Sequence, residues 1–394
     1  MKSDKISFKL SIFYMAVYVG LACISPFLIL FYQQKGLNFA QIGLVSAAYS
    51  IFGVFTQPFW GFITDKYLNK RITLIMLSVL CALIIFSFLM VNSVPSVFAA
   101  VILLSIFQNS VYPIADAFSY EIIEHNPQIQ YGRIRLMGNI GYAFGALVLG
   151  LIIQRYGLRI SYYIFFIVMM LASLMIAKVK FTGKHTGVKI NLKDGLRLFQ
   201  DKRYLILLLS ATICNIAIGG NVNYVAILIQ DTGGNTGILG FVWFLVALSA
   251  LPVLYYGRRL ITKFDMLYFY MFGSLVYALR FFLDSIVDSY TTIIWIQLLE
   301  SISYPLVLLG ALEYLNKITP DKVKTTSMTF YTAAYGIGGF IGNIIGGVIL
   351  QNAEVFLLYK VLAGVSLLGC IVVLILKKVD QSVSEVQSEE VTAA

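Results

Sequence analysis

The sequence predicts an all-α integral membrane protein with twelve transmembrane helices in two pseudo-symmetric six-helix halves. Three observations carry this. Hydrophobic residues make up 59% of the 394 and charged residues 12%, with a mean hydropathy of +0.84, a balance foreign to water-soluble domains. Twelve apolar stretches each approach the ~20 residues that span a bilayer. The fourth and tenth stretches also share a pattern: Gln108, Tyr112-Pro113 and Glu121 in one, Glu300, Tyr304-Pro305 and Glu313 in the other, at equal spacings from each proline.

The stretches cover roughly 9–32, 39–63, 72–92, 97–124, 133–154, 161–180, 204–229, 236–256, 266–285, 289–316, 325–351 and 355–377. The first follows the basic MKSDKISFK with no small-residue cleavage site, so it reads as a membrane helix rather than a removable signal. Turn signals separate the others at Lys35-Gly36, Asn92 to Pro95, Asn126-Pro127, Thr232 to Gly234 and Thr319-Pro320. The fifth carries Gly138, Gly141 and Gly145, the eleventh Gly336, Gly339, Gly342 and Gly346. Spacings of three and four make smooth faces for close helix packing. The expected division is a first half over 1–180, a basic linker over 181–203, a second half over 204–377 and a tail over 378–394. The linker suits a short amphipathic helix on the membrane surface. The tail, acidic and serine-rich without apolar periodicity, is expected to be disordered.

Charge sets orientation and excludes several functions. The formal net charge is +10, but the basic residues fall in short turns, which suits a membrane and not nucleic acid. Lys2, Lys5, Lys9, Lys66, Lys70, Arg71, the cluster from Lys178 to Arg203, Arg258, Arg259, Lys263, Lys317, Lys322, Lys324, Lys377 and Lys378 fall on one side. Lys35, Arg155, Arg159 and Lys360 fall on the other. Both termini are therefore expected in the cytoplasm. Cys23, Cys81, Cys214 and Cys370 lie inside apolar stretches, and the two histidines, His125 and His185, in loops. Neither disulfide nor metal spacing results, and no metal or cofactor is expected. No phosphate-binding G-x-x-x-x-G-K-[ST] loop is present, and nothing forms a catalytic constellation, so an enzyme is not expected.

The second stretch ends in QPFWGFITDKYLNKR, residues 57–71. Gly61 and Asp65 share one helical face. The glycine is expected to let a second helix approach, and Asp65 to meet a neighbouring helix N-terminus. Lys66, Lys70 and Arg71 suit the cytoplasmic turn.

Charges within the spans cost about 2.5–3.5 kcal/mol each at the bilayer centre and are functional by default. Four stand out: Asp116, Arg135, Arg280 and Glu300. Asp116 and Arg135 lie on consecutive helices and can face each other, the aspartate as acceptor and the arginine as donor fork. The alternatives are a salt bridge that only fixes packing, or an Arg135 that snorkels to the cytoplasm. Arg280 and Glu300 are related in the same way, joined by a turn holding Asp284 and Asp288. If Arg280 approaches in one conformation only, Glu300 takes and releases a proton; the alternative is a permanent pair. Asn139 and Tyr142 follow Arg135 along the fifth stretch. Asn221 and Tyr224 sit in the seventh, after Gly219-Gly220, and Tyr14 and Tyr18 in the first.

Residues 57–71 resemble the loop between helices two and three of the major facilitator superfamily, with Leu68 and Asn69 where glycine and arginine are usual. QPFWGFITDK, Pro113-Ile-Ala-Asp116-Ala-Phe118 and the block from Tyr131 to Tyr142 resemble the bacterial lactose permease group of oligosaccharide:proton symporters. The resemblance implies sugar hydroxyls bound at Asp116 and Arg135, and a ring stacked at Tyr142, where the permease has glutamate and tryptophan. Aligned on Pro305, the family's proton-linked arginine falls on Arg280, its helix-ten histidine on Glu300 and its proton-carrying glutamate on Ser303. Proton coupling is implied by the resemblance; placing the proton on Glu300 is our own inference.

The expected function is a secondary active transporter in the cell membrane, a proton-coupled importer of a small polar solute such as an oligosaccharide, using a central site between halves. The candidate substrate residues are Asp116, Arg135, Tyr142, Asn139, Asn221 and Tyr224. Glu300 and Arg280 are the candidate proton site, and Gly61, Asp65, Lys66 and Arg71 a conformational loop. The family expectation is a monomer. The alternatives are a proton-driven exporter of amphipathic compounds, and a symporter of nucleosides or aromatic acids.

Overall fold

The computed structural model describes residues 2–179, 181, 197–261 and 265–393. Twelve helices are long and apolar enough to cross a membrane, and no strand occurs among the described residues. They are α1 (Asp4–Gln34), α2 (Phe39–Lys66), α3 (Lys70–Met90), α4 (Val94–His125), α5 (Tyr131–Tyr156), α6 (Arg159–Ala177), α7 (Lys202–Asp231), α8 (Thr236–Val253), α9 (Met266–Asp284), α10 (Tyr290–Ile318), α11 (Thr326–Asn352) and α12 (Val355–Val383). The amphipathic helix expected of the linker lies outside the described residues, apart from a short 3-10 turn at Arg197–Gln200.

Two helices on which the site depends are interrupted. Helix α1 breaks between Ile24 and Leu28, around Pro26, which lacks the N–H that would continue the ladder. Helix α10 breaks at Leu298-Leu299, so Gln297 ends one segment and Glu300 begins the next. The internal repeat also extends into the turns. Gly36 after α1 and Gly233 after α7 both take positive φ, 74° and 84°. Two residues later Asn38 and Asn235 cap α2 and α8, accepting from Gln41 N at 2.9 Å and Ile238 N at 3.1 Å. Only glycine takes that backbone without strain, and asparagine is a preferred N-cap.

The chain packs as two compact units. One comprises the described residues of Met1–Val188 with Val222–Leu248, the other those of Lys189–Asn221 with Ser249–Ala394. In the first, α1 packs on α5 and α6, α2 on α4, and α3 on α4 and α6. Its core joins Leu10, Phe13 and Tyr14 of α1 to Leu74, Val111, Ile114, Phe118, Ile134 and Ile176. The glycine face of α5 meets α1: a Cβ at Gly141 would lie 2.7 Å from Met15 O. In the second unit α9 packs on α10 and α12, and a Cβ at Gly342 would collide with Ile216 O of α7. Large apolar side chains such as Phe55, Phe62, Leu83 and Trp295 point outward, as a lipid-facing surface requires.

Three expectations are corrected. A Cβ at Gly61 would meet nothing within 4 Å, so this glycine permits no close helix approach here. The contact expected of Asp65 is not formed among the described residues. Asn69 caps α3 instead, accepting from Ile72 N at 2.8 Å, because it immediately precedes the helix. The tail does not become disordered after residue 377, since the helix of α12 continues to Ala393. Asp380 fastens it: Asp380 is buried, accepts from Tyr314 Oη at 2.9 Å and Lys317 Nζ at 3.1 Å, and lies 3.7 Å from Arg203 Nη1.

Candidate functional site

In the first unit the site is built where α4 and α5 face α1. Arg135 and Asp116 meet, with Nη1 donating to Oδ1 at 3.2 Å. Tyr14 of α1 adds a second donor, its hydroxyl lying 2.7 Å from the same Oδ1, and Ser119 Oγ lies 3.2 Å from that hydroxyl. The guanidinium carbon of Arg135 sits 5.0 Å from the centre of the Tyr18 ring, in reach of a cation–π contact. The bond to Asp116 is made through Nη1 alone, not through the two-pronged geometry that Arg–carboxylate pairs often take. The side chains of Arg135 and Asp116 stay 35% and 29% exposed, so donors and acceptors remain available to a ligand.

Arg135, Asn139 and Tyr142 fall at i, i+4 and i+7 and share one face of α5. The Tyr142 ring stands edge-on to Trp243 of α8, centroids 6.3 Å apart. Trp243 had no signal in the sequence. Tyr224 is fully buried in this unit. Asn221 belongs to the second, where its Oδ1 accepts from Tyr359 Oη at 3.0 Å.

The second unit holds the other charged cluster. Arg280 Nη1 pairs with Glu300 Oε2 and donates to Gln297 Oε1 at 3.1 Å. Gln297 Nε2 donates to Asp284 Oδ2 at 3.0 Å, and Tyr277 Oη to Glu300 Oε1 at 2.8 Å. Phe281 and Tyr277, stacked with centroids 5.6 Å apart, lie beside the guanidinium, their centroids 4.5 and 5.3 Å from its carbon. Arg280 and Asp284 have no exposed surface, and Glu300 is 8% exposed. The sequence singled out Arg280 and Glu300 and read Asp284 as a turn residue. The missed members carry a signal in their spacing, because Tyr277, Arg280 and Asp284 share one face of α9, and Gln297 precedes Glu300 by three.

Several side-chain contacts tie down the 57–71 segment. Arg71 donates to Ile176 O at 3.4 Å and to Ala177 O, and Lys9 donates to Lys178 O at 2.7 Å. Two cations thus satisfy the C-terminal carbonyls of α6. Lys70 pairs with Glu121 at 2.9 Å, and Lys66 lies 5.2 Å from the Phe62 centroid and 5.1 Å from that of Tyr67. No cluster of three or more metal-ligating side chains occurs among the described residues.

Comparison with known proteins agrees with this architecture. Residues 7–361 match the model of the "MFS_1 like family". The chain is 23% identical to the maltose permease of Geobacillus stearothermophilus over 95% of each protein. It is 24% identical to the uncharacterized transporter YwbF of Bacillus subtilis over 96% of each. The crystal structure of a mutant of the nucleoside transporter NupG superposes with a TM-score of 0.81 at 14% identity, covering 94% of this chain and 99% of that one. A POT family peptide transporter superposes with 0.80 at 11% identity, covering 95% and 97%. A family match across most of the chain, twelve apolar helices and full-length likeness to transporters lead to one conclusion: the chain belongs to the MFS_1-like family and is a multi-pass secondary transporter of the major facilitator type, not an enzyme.

Proposed function

We propose that this transporter imports an oligosaccharide of the maltose class in symport with protons, working as a monomer in the cell membrane with both termini in the cytoplasm. The carrying observation is the part-exposed Asp116–Arg135 pair. The Arg280–Glu300 pair is enclosed, at 0% and 10% side-chain exposure. Asp116 and Arg135 instead keep about a third of their surface open, with Tyr14 and Tyr18 holding them in place. Sugar hydroxyls both donate and accept, so they fit an acid–arginine pair that is not saturated by itself. Tyr142, on the same face of α5 and beside Trp243, supplies an aromatic surface for a sugar ring. The likeness to a maltose permease supports the substrate class. The Arg280–Glu300 pair is the proton site in this reading.

The test is external pH in lightly buffered, de-energised cells expressing the protein. Adding maltose is expected to give an alkaline drift, lost in Arg135→Gln and in Glu300→Gln. A drift that survives Arg135→Gln reduces the pair to a packing contact. A drift with nucleosides or aromatic acids instead of maltose reassigns the substrate. No drift with any of them, together with dye efflux from energised cells, replaces import by export.

A further inference from the structure

The second unit buries two carboxyl groups around one guanidinium, and the three groups do not stand alike. Glu300 is fully engaged: Oε1 accepts from Tyr277 and Oε2 pairs with Arg280. Asp284 has one oxygen on Gln297, while its Oδ1 is buried with no partner. Arg280 has Nε and Nη2 in the same condition, with the stacked Phe281 and Tyr277 rings beside its guanidinium. Among the described residues, the elements packed on Asp284 bring no further cation to it. Arg280 shares its helix, Gln297 and Glu300 come from α10, and Tyr359 from α12. With both carboxylates ionised the cluster would carry an uncompensated negative charge away from water, which is strongly unfavourable. One proton makes it neutral.

Position decides which carboxyl takes it. Hydrogen bonds to a carboxylate favour its ionised form, and Glu300 has the fuller set. Glu300 lies inside the helical run of α10, where the N–H groups of Ser301, Ile302 and Ser303 bond back to Leu298 and Leu299, so the peptide dipoles do not oppose an anion there as they do at a helix C-terminus. Asp284 is the last residue of α9, where they oppose one.

We propose that Asp284 is a second proton-binding site of this transporter: it holds a proton on Oδ1 while Arg280 is paired with Glu300, and gives it up when Arg280 leaves Glu300 for Asp284. Arg280 and Asp284 are one helical turn apart on one face, so the guanidinium reaches either carboxylate by a change of side-chain rotamer. Gln297 touches both ends of the exchange, accepting from Arg280 and donating to Asp284. As Arg280 turns to Asp284, the proton on Asp284 leaves and Glu300 takes one up. The cluster stays neutral on both sides of the step. A single arginine shared between two carboxyl groups thereby makes release of one proton conditional on binding of another.

Protonation of Asp284 stands on the cluster alone; its part in transport rests on the proton-coupled reading above. The two are tested separately. The first experiment is infrared spectroscopy of the full chain reconstituted in lipid, recorded against pH. A protonated-carboxyl band is expected at neutral pH. It should shift when the protein is made with isotopically labelled aspartate, stay unmoved with labelled glutamate, and vanish in Asp284→Asn. No such band at neutral pH, as when a bridging water leaves Asp284 ionised, overturns the proposal. So does a band that follows labelled glutamate. The second experiment uses maltose with the same protein. Asp284→Asn, a permanent neutral mimic with the Gln297 bond available, is expected to lose proton-driven accumulation and keep exchange of labelled for unlabelled sugar. Accumulation at the wild-type level in this variant overturns the coupling role. Absence of maltose transport in the wild type sinks the substrate reading and leaves the infrared result to decide on Asp284.

Discussion

Arg135 and Arg280 perform different tasks with the same side chain. Arg135 is held by one bond to Asp116 and a tyrosine face, part of it open. Arg280 is enclosed by two carboxyl groups, a glutamine and two rings. Removing the hydroxyl donor in Tyr14→Phe takes one hydrogen bond from a charged acceptor, worth about 1.5–3 kcal/mol. The expected outcome is a rise in the sugar KM of roughly tenfold to a hundredfold, with the protein still folded, measured by uptake kinetics. Arg280→Gln alone strands a carboxylate in the interior, at a cost of about 3–5 kcal/mol. It is expected to lower thermal stability in detergent, and combining it with Glu300→Gln to restore much of the loss. Asp116, Arg135, Arg280 and Glu300 were legible in the sequence because charge in an apolar stretch is rare. Asp284 was not: at the end of its stretch an aspartate looks like a turn residue, and only its burial shows otherwise.

Among the elements, the glycines separate by what they touch. Gly141→Leu drives a side chain into the Met15 backbone of α1, which cannot yield as a flexible side chain can. Overpacking of this kind costs about 1–3 kcal/mol or more, and the expected outcome is a lower melting temperature and less monodisperse protein. Gly61→Ala meets open space in this conformation and is expected to melt as the wild type does. The two glycines read alike in sequence, each on a helix face expected to receive a close neighbour, because a face read from sequence says nothing of whether a partner helix is there. The end of α12 teaches the same lesson. Composition pointed to disorder beyond residue 377, but Asp380 finds Tyr314 and Lys317 on α10. Truncation after Lys378 is expected to lower stability measurably, by about 1–3 kcal/mol for a lost charged hydrogen-bond set. Truncation after Val383 retains Asp380 and is expected to preserve that stability.

For the whole molecule, energy coupling is the property to test. Collapsing the proton gradient with a protonophore is expected to abolish accumulation of maltose while exchange across the membrane persists, measured in cells or proteoliposomes. Continued accumulation would assign the driving force elsewhere. The sequence by itself determined the class, the twelve helices and their internal repeat. Those depend on local, one-dimensional quantities: apolar length against bilayer thickness, and turn chemistry such as Lys35-Gly36 and Thr232 to Gly234. It also marked four charges whose burial had to be compensated. Only the tertiary structure decided how. It left Asp116 and Arg135 open beside Tyr14 and Tyr18, enclosed Arg280 with Glu300 and Asp284, gave the Asp380 carboxylate its partners, and set Trp243 against Tyr142. Those outcomes turn on which faces of distant helices meet, and contact between residues a hundred positions apart leaves no periodic trace in a single chain.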